Sequence, residues 1–240
     1  MKILGRINTY FLILCVLMCK HYIRLTKKGR EAFHDKNDHP FVRDFEDNCP
    51  VILEELQYVM KSGVKIPAFQ EVSPMQKGIT NDDKWKTFVF KGYNADFVQN
   101  HSLCPETSTL LDKYPNITSA MFSILEPGKT IPPHTGPFNG VLRFHLPLIV
   151  PDDETLSGIT IKEDTHHWEQ GVGVVFDDSF SHHAWNNSNQ VRVVLFIDFI
   201  RPLPWPISWL NKQAFKLIKR MFLIDCKEFI NSEPTVRRNN

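Results

Sequence analysis

The sequence carries no marked excess of either charge: 28 lysines and arginines stand against 27 aspartates and glutamates, a formal net charge of +1. That balance argues against a generic nucleic-acid binder, which needs a broad basic face to displace counterions. There is no CxxC pair. The five cysteines (Cys15, Cys19, Cys49, Cys104 and Cys226) are odd in number and lack zinc-ligand spacing, so they read as free thiols of a reducing compartment. No internal repeat or low-complexity stretch is visible, and no apolar run reaches the roughly 20 residues of a full membrane span. What is present suits one globular domain: 42% hydrophobic and 23% charged residues, which excludes a disordered, collagen-like or polytopic membrane chain. The 18 phenylalanines and 16 prolines point to a β-rich core with many turns.

The N-terminus is unusual. Thr9 to Cys19 is an 11-residue apolar run, preceded by Lys2 and Arg6 and followed by Lys20, Arg24, Lys27, Lys28 and Arg30. No small-x-small cleavage site follows it. Three readings stay open for residues 1–30: a single membrane anchor extended by His21 to Ile23 with Lys20 snorkelling, a membrane-surface segment, or a buried helix. The basic flank places the remainder of a membrane-associated chain on the cytoplasmic side. Two glycosylation sequons, at Asn116 and Asn186, matter only in a secretory lumen.

Residues 31–49 are polar and read as a linker. Pro50 to Met60 has the period of an amphipathic helix with proline in its first turn, ended at Ser62-Gly63. Residues 64–83 show no clear period. From Trp85 the signal turns to strands: 87–90, 120–125, 141–150, 158–162, 173–176 and, strongest, 191–200. Short strands between Gly, Pro and Asp turns predict a mainly β fold, an antiparallel barrel or jelly roll. Prolines at 202, 204 and 206 stop it. Ile207 to Ile224 then reads as a basic amphipathic helix, either packed on the barrel or docked on an anionic membrane surface. The implied division is 1–30, a membrane-associated segment; 31–205, the chemical domain; and 206–240, the helix and tail.

Two histidine segments stand out. His134 lies in the turn-rich Ile131 to Pro137. His182 and His183 follow a strand in Asp177 to Trp185, 48 residues beyond His134. In a β-barrel, two strand ends can meet at the mouth, where two imidazoles can bind a divalent metal. Non-haem iron sites use two histidines and a carboxylate. Here the position two residues after the first histidine is Gly136, which has no side chain. An anionic keto acid completing such a metal's shell needs a cation. Arg143 and His145 share one face of a strand, and Arg192 opens the strongest strand. An arginine on an inner β face is costly without an anion, and a carboxylate is its natural partner. Ser123 can add a hydroxyl. Each element alone has a plainer reading: a solvated loop histidine, surface His166-His167 and His182-His183 doublets, or an outward Arg143.

Taken in order, Ser123-Ile124-Leu125-Glu126-Pro127-Gly128, Pro133-His134-Thr135-Gly136-Pro137, Leu142-Arg143-Phe144-His145-Leu146, Phe176 to His182, Arg192 and Arg201-Pro202 resemble the aspartyl/asparaginyl β-hydroxylase family of Fe(II)- and 2-oxoglutarate-dependent oxygenases. Trp85 to Phe88 and Thr109 to Leu111 resemble its upstream segments, and the likeness covers about residues 40–205. It implies a double-stranded β-helix (jelly-roll, cupin-like) core with flanking helices. It further implies iron at His134 and His182, and 2-oxoglutarate held by Arg143, His145 and Arg192 with Ser123 and Trp85. Those family members also have Gly at the position of Gly136. The related lipid A hydroxylases are similar in Pro137-Phe138-Asn139-Gly140 and in an N-terminal membrane segment, but carry Asp at that position.

The expectation is hydroxylation of an unactivated C–H bond, with O₂ and 2-oxoglutarate consumed. The substrate is a peptide Asp/Asn side chain or a membrane-associated acyl chain. Halogenation, a non-catalytic cupin-like anion- or metal-binding module, and a zinc hydrolase are the competing readings; the last lacks a third strong ligand and a clear base.

Overall fold

Alternation of apolar and polar side chains along each strand decides where everything else goes. A computed structural model describes residues 2–93, 95–227, 229 and 236–238. Its strands are β1 (Phe33–His34), β2 (Trp85–Gly92), β3 (Ala95–Phe97), β4 (Ile117–Leu125), β5 (Lys129–His134), β6 (Val141–Ile149), β7 (Ser157–Ile161), β8 (Asp164–His167), β9 (Val174–Phe176), β10 (His182–Asn186), β11 (Arg192–Ile200) and β12 (Val236–Arg238). Its helices are α1 (Lys2–Leu25), α2 (Phe41–Asp47), α3 (Cys49–Lys61), α4 (Phe69–Val72), α5 (Val98–Leu103), α6 (Pro105–Asp112) and α7 (Ile207–Asp225).

The strands form two antiparallel sheets, one ordered β1-β9-β6-β11-β4-β2-β3-β12 and one ordered β5-β10-β7-β8. They share a core of Trp85, Leu125, Ile131, Ile159, Ile161, Trp168, Phe176 and Ala184. The result is a cupin-like β-sandwich with flanking helices. The other face of the large sheet is also covered: Phe88, Phe90, Phe122, Phe144, Leu195 and Phe199 pack with Phe41, Phe45, Ile52 and Leu56 of α2 and α3. That is why β4 and β11 read as nearly continuous apolar runs, since strands buried on both faces need not alternate with water.

Parity sorts the side chains. Leu142, Phe144 and Leu146 of β6, and Val193, Leu195 and Ile197 of β11, turn to the helices. The intervening Arg143, His145, Arg192 and Asp198 therefore turn inward, between the sheets.

Several expectations need correction. The composition is mixed, with helices on both flanks, not mainly β. Residues 31–49 are no linker: Phe41, Val42 and Phe45 are buried, and Phe41 lies edge-on to Phe144 and Phe199. Their apolar spacing was masked by the charged residues between them. Among the described residues no helix is long and apolar enough to cross a membrane. The apolar run lies within α1, which buries Cys15, Cys19 and Ile23 against Phe138, Val141 and residues Ala214, Phe215 and Ile218 of α7. The helices expected at 50–60 and 207–224 are α3 and α7.

One ion cluster ties these parts together. Asp177 accepts from Arg201 Nη2 at 2.5 Å and from Arg24 Nη1 at 3.3 Å, and the Arg24 Nη2 donates to Ser179 Oγ at 2.7 Å. The C-terminal turn of α1 is thereby bonded to the loop before β10. Asp177→Ala leaves the buried Arg201 without its counter-charge. It should cost about 3–5 kcal/mol and lower the thermal midpoint by on the order of 10 °C. Differential scanning calorimetry checks this, and a midpoint within about 2 °C of wild type would refute it.

Candidate active site

His134 closes β5 and His182 opens β10. The two strands pair antiparallel with His182 opposite His134, and one loop is bonded to the other where Gly136 N donates to Asp178 O at 2.8 Å. The imidazole centroids end 4.1 Å apart. Each ring is oriented from behind: the Nδ1 of His134 lies 2.9 Å from Pro132 O, and that of His182 lies 2.9 Å from Phe180 O. A carbonyl accepts only from N–H, so Nδ1 carries the proton and Nε2 keeps its lone pair. This backbone support is what metal-binding histidines need. Burial, with His134 and Arg143 adding their charges, pushes His182 down to about 3. Burial also lowers His134. Both rings are therefore neutral near pH 7, the form that binds a metal. His183, one residue on, alternates away and packs on Trp185. His166 and His167 lie on β8, at the far edge of the small sheet.

Among the described residues no group of three or more His, Cys, Asp or Glu is placed to hold a metal, so the pair stands alone. The space beside Gly136 is nevertheless not open. A Cβ on Gly136 would lie 2.2 Å from Asp178 Oδ2. The Asp178 carboxylate fills the space that a side chain at 136 would take, and Arg143 Nη2 holds it at 2.9 Å. Burial, with Asp198 and Asp177 nearby, raises the Asp178 pKa despite that arginine.

The inward cations divide into two kinds. Arg143 is neutralised by the protein: its Nε and Nη2 reach the two oxygens of Asp198 at 2.8 and 3.1 Å, with Asp178 as a further partner. Its guanidinium also lies 4.0 Å over the Phe196 ring. Arg192 is different. It is 2% exposed and its Nε has no partner. Among the described residues its hydrogen bond is a long one, Nη1 to Ser123 O at 3.5 Å. Burial alone pushes it down to about 9. Beside it, both ring nitrogens of His145 and the Nε1 of Trp168 are buried without partners. Arg192 lies 5.6 Å over Trp168, and His145 lies 5.4 Å from that ring. Trp85 Nε1 donates to Ser123 Oγ at 3.0 Å. Buried donors with nothing to donate to are rare and costly, and here several surround one cation. That donor set fits an anion.

The structure thus brings His134 and His182 together and places Ser123, Trp85, His145 and Arg192 around a second subsite. It binds Arg143 into an internal ion cluster. Sequence reasoning assigned no role to Asp178, Asp198 or Trp168. Asp198 was findable, because it shares the parity of Arg192 in a strand otherwise apolar. Trp168 lies in a loop and gave no periodic signal.

A cavity of about 340 Å³ opens beside His134, Gly136, Arg143 and Asp178. It runs past Phe69, Val72, Val89 and Met121 to Ile218, Met221 and Phe222 of α7. Because residue 136 has no room for a side chain, Gly136→Ala should displace Asp178 and disturb the His134 loop. Affinity for a divalent metal, measured by calorimetry with Co(II), should fall about tenfold or more; an unchanged affinity would show that the crowding is relieved elsewhere.

Comparison with known proteins identifies the family. The aspartyl/asparaginyl beta-hydroxylase family model matches residues 46–202. The ornithine lipid ester-linked acyl 2-hydroxylase of Rhizobium tropici is 40% identical over 189 residues, covering 79% of this chain and 67% of that protein. The human aspartyl/asparaginyl beta-hydroxylase is 31% identical over 169 residues, covering 67% of this chain and 21% of that protein. The aspartate beta-hydroxylase domain-containing protein 2 of Xenopus tropicalis is 29% identical over 168 residues, covering 65% and 43%. The chain therefore spans about two thirds of the bacterial relative and only about a fifth of the human one. The matched span contains both histidines, Gly136 and the inward cations, and the chain is a hydroxylase of the aspartyl/asparaginyl β-hydroxylase family.

Proposed function

We propose that this chain hydroxylates an unactivated C–H bond of an acyl chain, using Fe(II) at His134 and His182 and 2-oxoglutarate as co-substrate. The observation that carries the reading is the pairing of two imidazoles, their Nε2 atoms unprotonated, with a buried arginine that has no carboxylate of its own. The double-stranded β-helix suits it, since successive strands cross between the sheets and bring the ends of β5 and β10 to one place. Residues 31–205 would carry the chemistry.

When bound, the metal and co-substrate supply the oxidising power. The chain supplies the rest. His134 and His182 offer two neutral nitrogens held by backbone carbonyls. Arg192 and His145 would take the distal carboxylate of 2-oxoglutarate, which relieves their unmet hydrogen bonds. Ser123 and Trp85 would border it. Asp178, steadied by Arg143, occupies the space that a side chain at 136 would take, so among the described residues the two imidazoles would be the metal's side-chain ligands. The apolar cavity beside His134 keeps bulk water from the reacting carbon.

An acyl chain suits that cavity better than a peptide Asp or Asn. Phe69, Val72, Val89, Met121, Met221 and Phe222 line it, and its carboxylates, Asp178, Asp198 and Asp225, would repel an acidic side chain. The Arg143 that could have received one is already taken. The name of the Rhizobium tropici relative points to a chain joined through an ester and oxidised at its second carbon.

The test is succinate formation from 2-oxoglutarate with an acyl ester and an Asp-containing peptide as rival substrates, with products weighed by mass spectrometry. A gain of one oxygen on the acyl ester is expected. His134→Ala should abolish turnover. Arg192→Met should raise the KM for 2-oxoglutarate about 100-fold, as loss of a charged hydrogen-bond pair worth about 3 kcal/mol requires. Wild-type succinate formation by His134→Ala would overturn the metal assignment, and oxidation of the peptide alone would overturn the substrate class.

A further inference from the structure

One face of the molecule is left without a partner. From Tyr10 to Cys19 α1 is apolar all round, yet only one side of it packs on the protein. Leu12, Cys15, Cys19 and Ile23 are buried, while Tyr10, Phe11, Ile13, Leu14, Leu17 and Met18 are exposed. The patch continues onto α7. Phe11 lies 6.2 Å from the ring of Trp209, which is half exposed, and Trp205, four residues earlier, is 82% exposed. A contiguous apolar surface of this kind marks an interaction site.

Its charge names the partner. The α1 sequence holds no Asp or Glu. The single acidic residue of α7, Asp225, accepts from Ser73 Oγ at 2.5 Å and from Met75 N at 3.1 Å. Lys212, Lys216 and Arg220 of α7 stand in solvent. A second copy applied to this face would set basic side chains against their own kind. A bilayer with anionic headgroups would neutralise them, and tryptophans are at home in its interfacial layer.

The same helix reaches the reaction cavity. Met221 and Met75 both line the cavity and are 48% and 68% exposed, and Ile224, one turn further along α7, is 69% exposed. We propose that α1 and α7 form a docking face that lies in the plane of an anionic bilayer without spanning it, and that the mouth between Met75 and Met221 admits a lipid chain from that surface. The second half of this inference rests on the acyl-chain reading; the first does not.

Vesicle sedimentation with the full chain tests it. Vesicles of phosphatidylcholine alone are compared with vesicles in which roughly a quarter of the lipid is phosphatidylglycerol. Binding about tenfold stronger to the anionic vesicles, weakened by salt, is expected. Leu14→Glu/Leu17→Glu and, separately, Lys216→Glu/Arg220→Glu should each lower it about tenfold, with the thermal midpoint showing that both variants remain folded. Brominated lipid should quench tryptophan emission in the wild type, and Trp205→Phe/Trp209→Phe should remove that quenching. No sedimentation with anionic vesicles, or sedimentation indifferent to both pairs of substitutions, would overturn the proposal, as would self-association that Leu14→Glu/Leu17→Glu abolishes in the absence of lipid. His134→Ala should bind vesicles as the wild type does, so a failure of the chemistry and a failure of docking are read separately.

Discussion

A guanidinium enclosed in a β-sandwich with no carboxylate beside it is among the least favourable groups a fold can carry. The cost of removing a charge from water is several kcal/mol unless an opposite charge comes with it. Arg192 is in that position. The fold tolerates it because β11 is fixed on both sides by β4 and β6, and its helix-facing side chains are locked in the large core. The strand cannot turn Arg192 away from the space between the sheets without driving it into the apolar core under α2 and α3 and pulling Val193 and Leu195 out of it. The anion subsite is thus prepared by the stability of the opposite face of the sheet.

Arg143 shows the other solution on the neighbouring strand. Its bidentate partner Asp198 lies directly across from it on β11, and Asp178 adds a link to the His182 loop. One inward arginine therefore holds the His182 loop in place, and the other has no carboxylate beside it among the described residues. Residue type alone does not separate these roles. The difference is that β11 sets Asp198 opposite Arg143, whereas the residue opposite Arg192 is Leu125 of β4.

Much of this was legible before any coordinates. The strands at 87–90, 120–125, 141–150 and 191–200 announce themselves because β-branched and aromatic residues crowd pleated surfaces. Parity alone puts Arg143 and His145 on one face. The closeness of His134 and His182 was not legible from spacing, since it depends on β5 pairing directly with β10 although four strands, two of them in the other sheet, separate them along the chain. β5 itself, with two prolines in six residues, gives almost no strand signal. The segment at 31–49 misled because its buried phenylalanines are separated by charges that face water. The apolar run of the first helix was read three ways, as anchor, surface segment or buried helix; in the structure one side of it is buried against α7 and the other is exposed.

The contact between Gly136 and Asp178 has an evolutionary consequence. A two-histidine centre and a two-histidine, one-carboxylate centre differ here by a side chain whose space is already occupied. Acquiring aspartate at 136 first would crowd the loop, and losing aspartate at 178 first would leave Arg143 with one fewer anion. Residues 136 and 178 share one space, so a change at either position calls for a compensating change at the other.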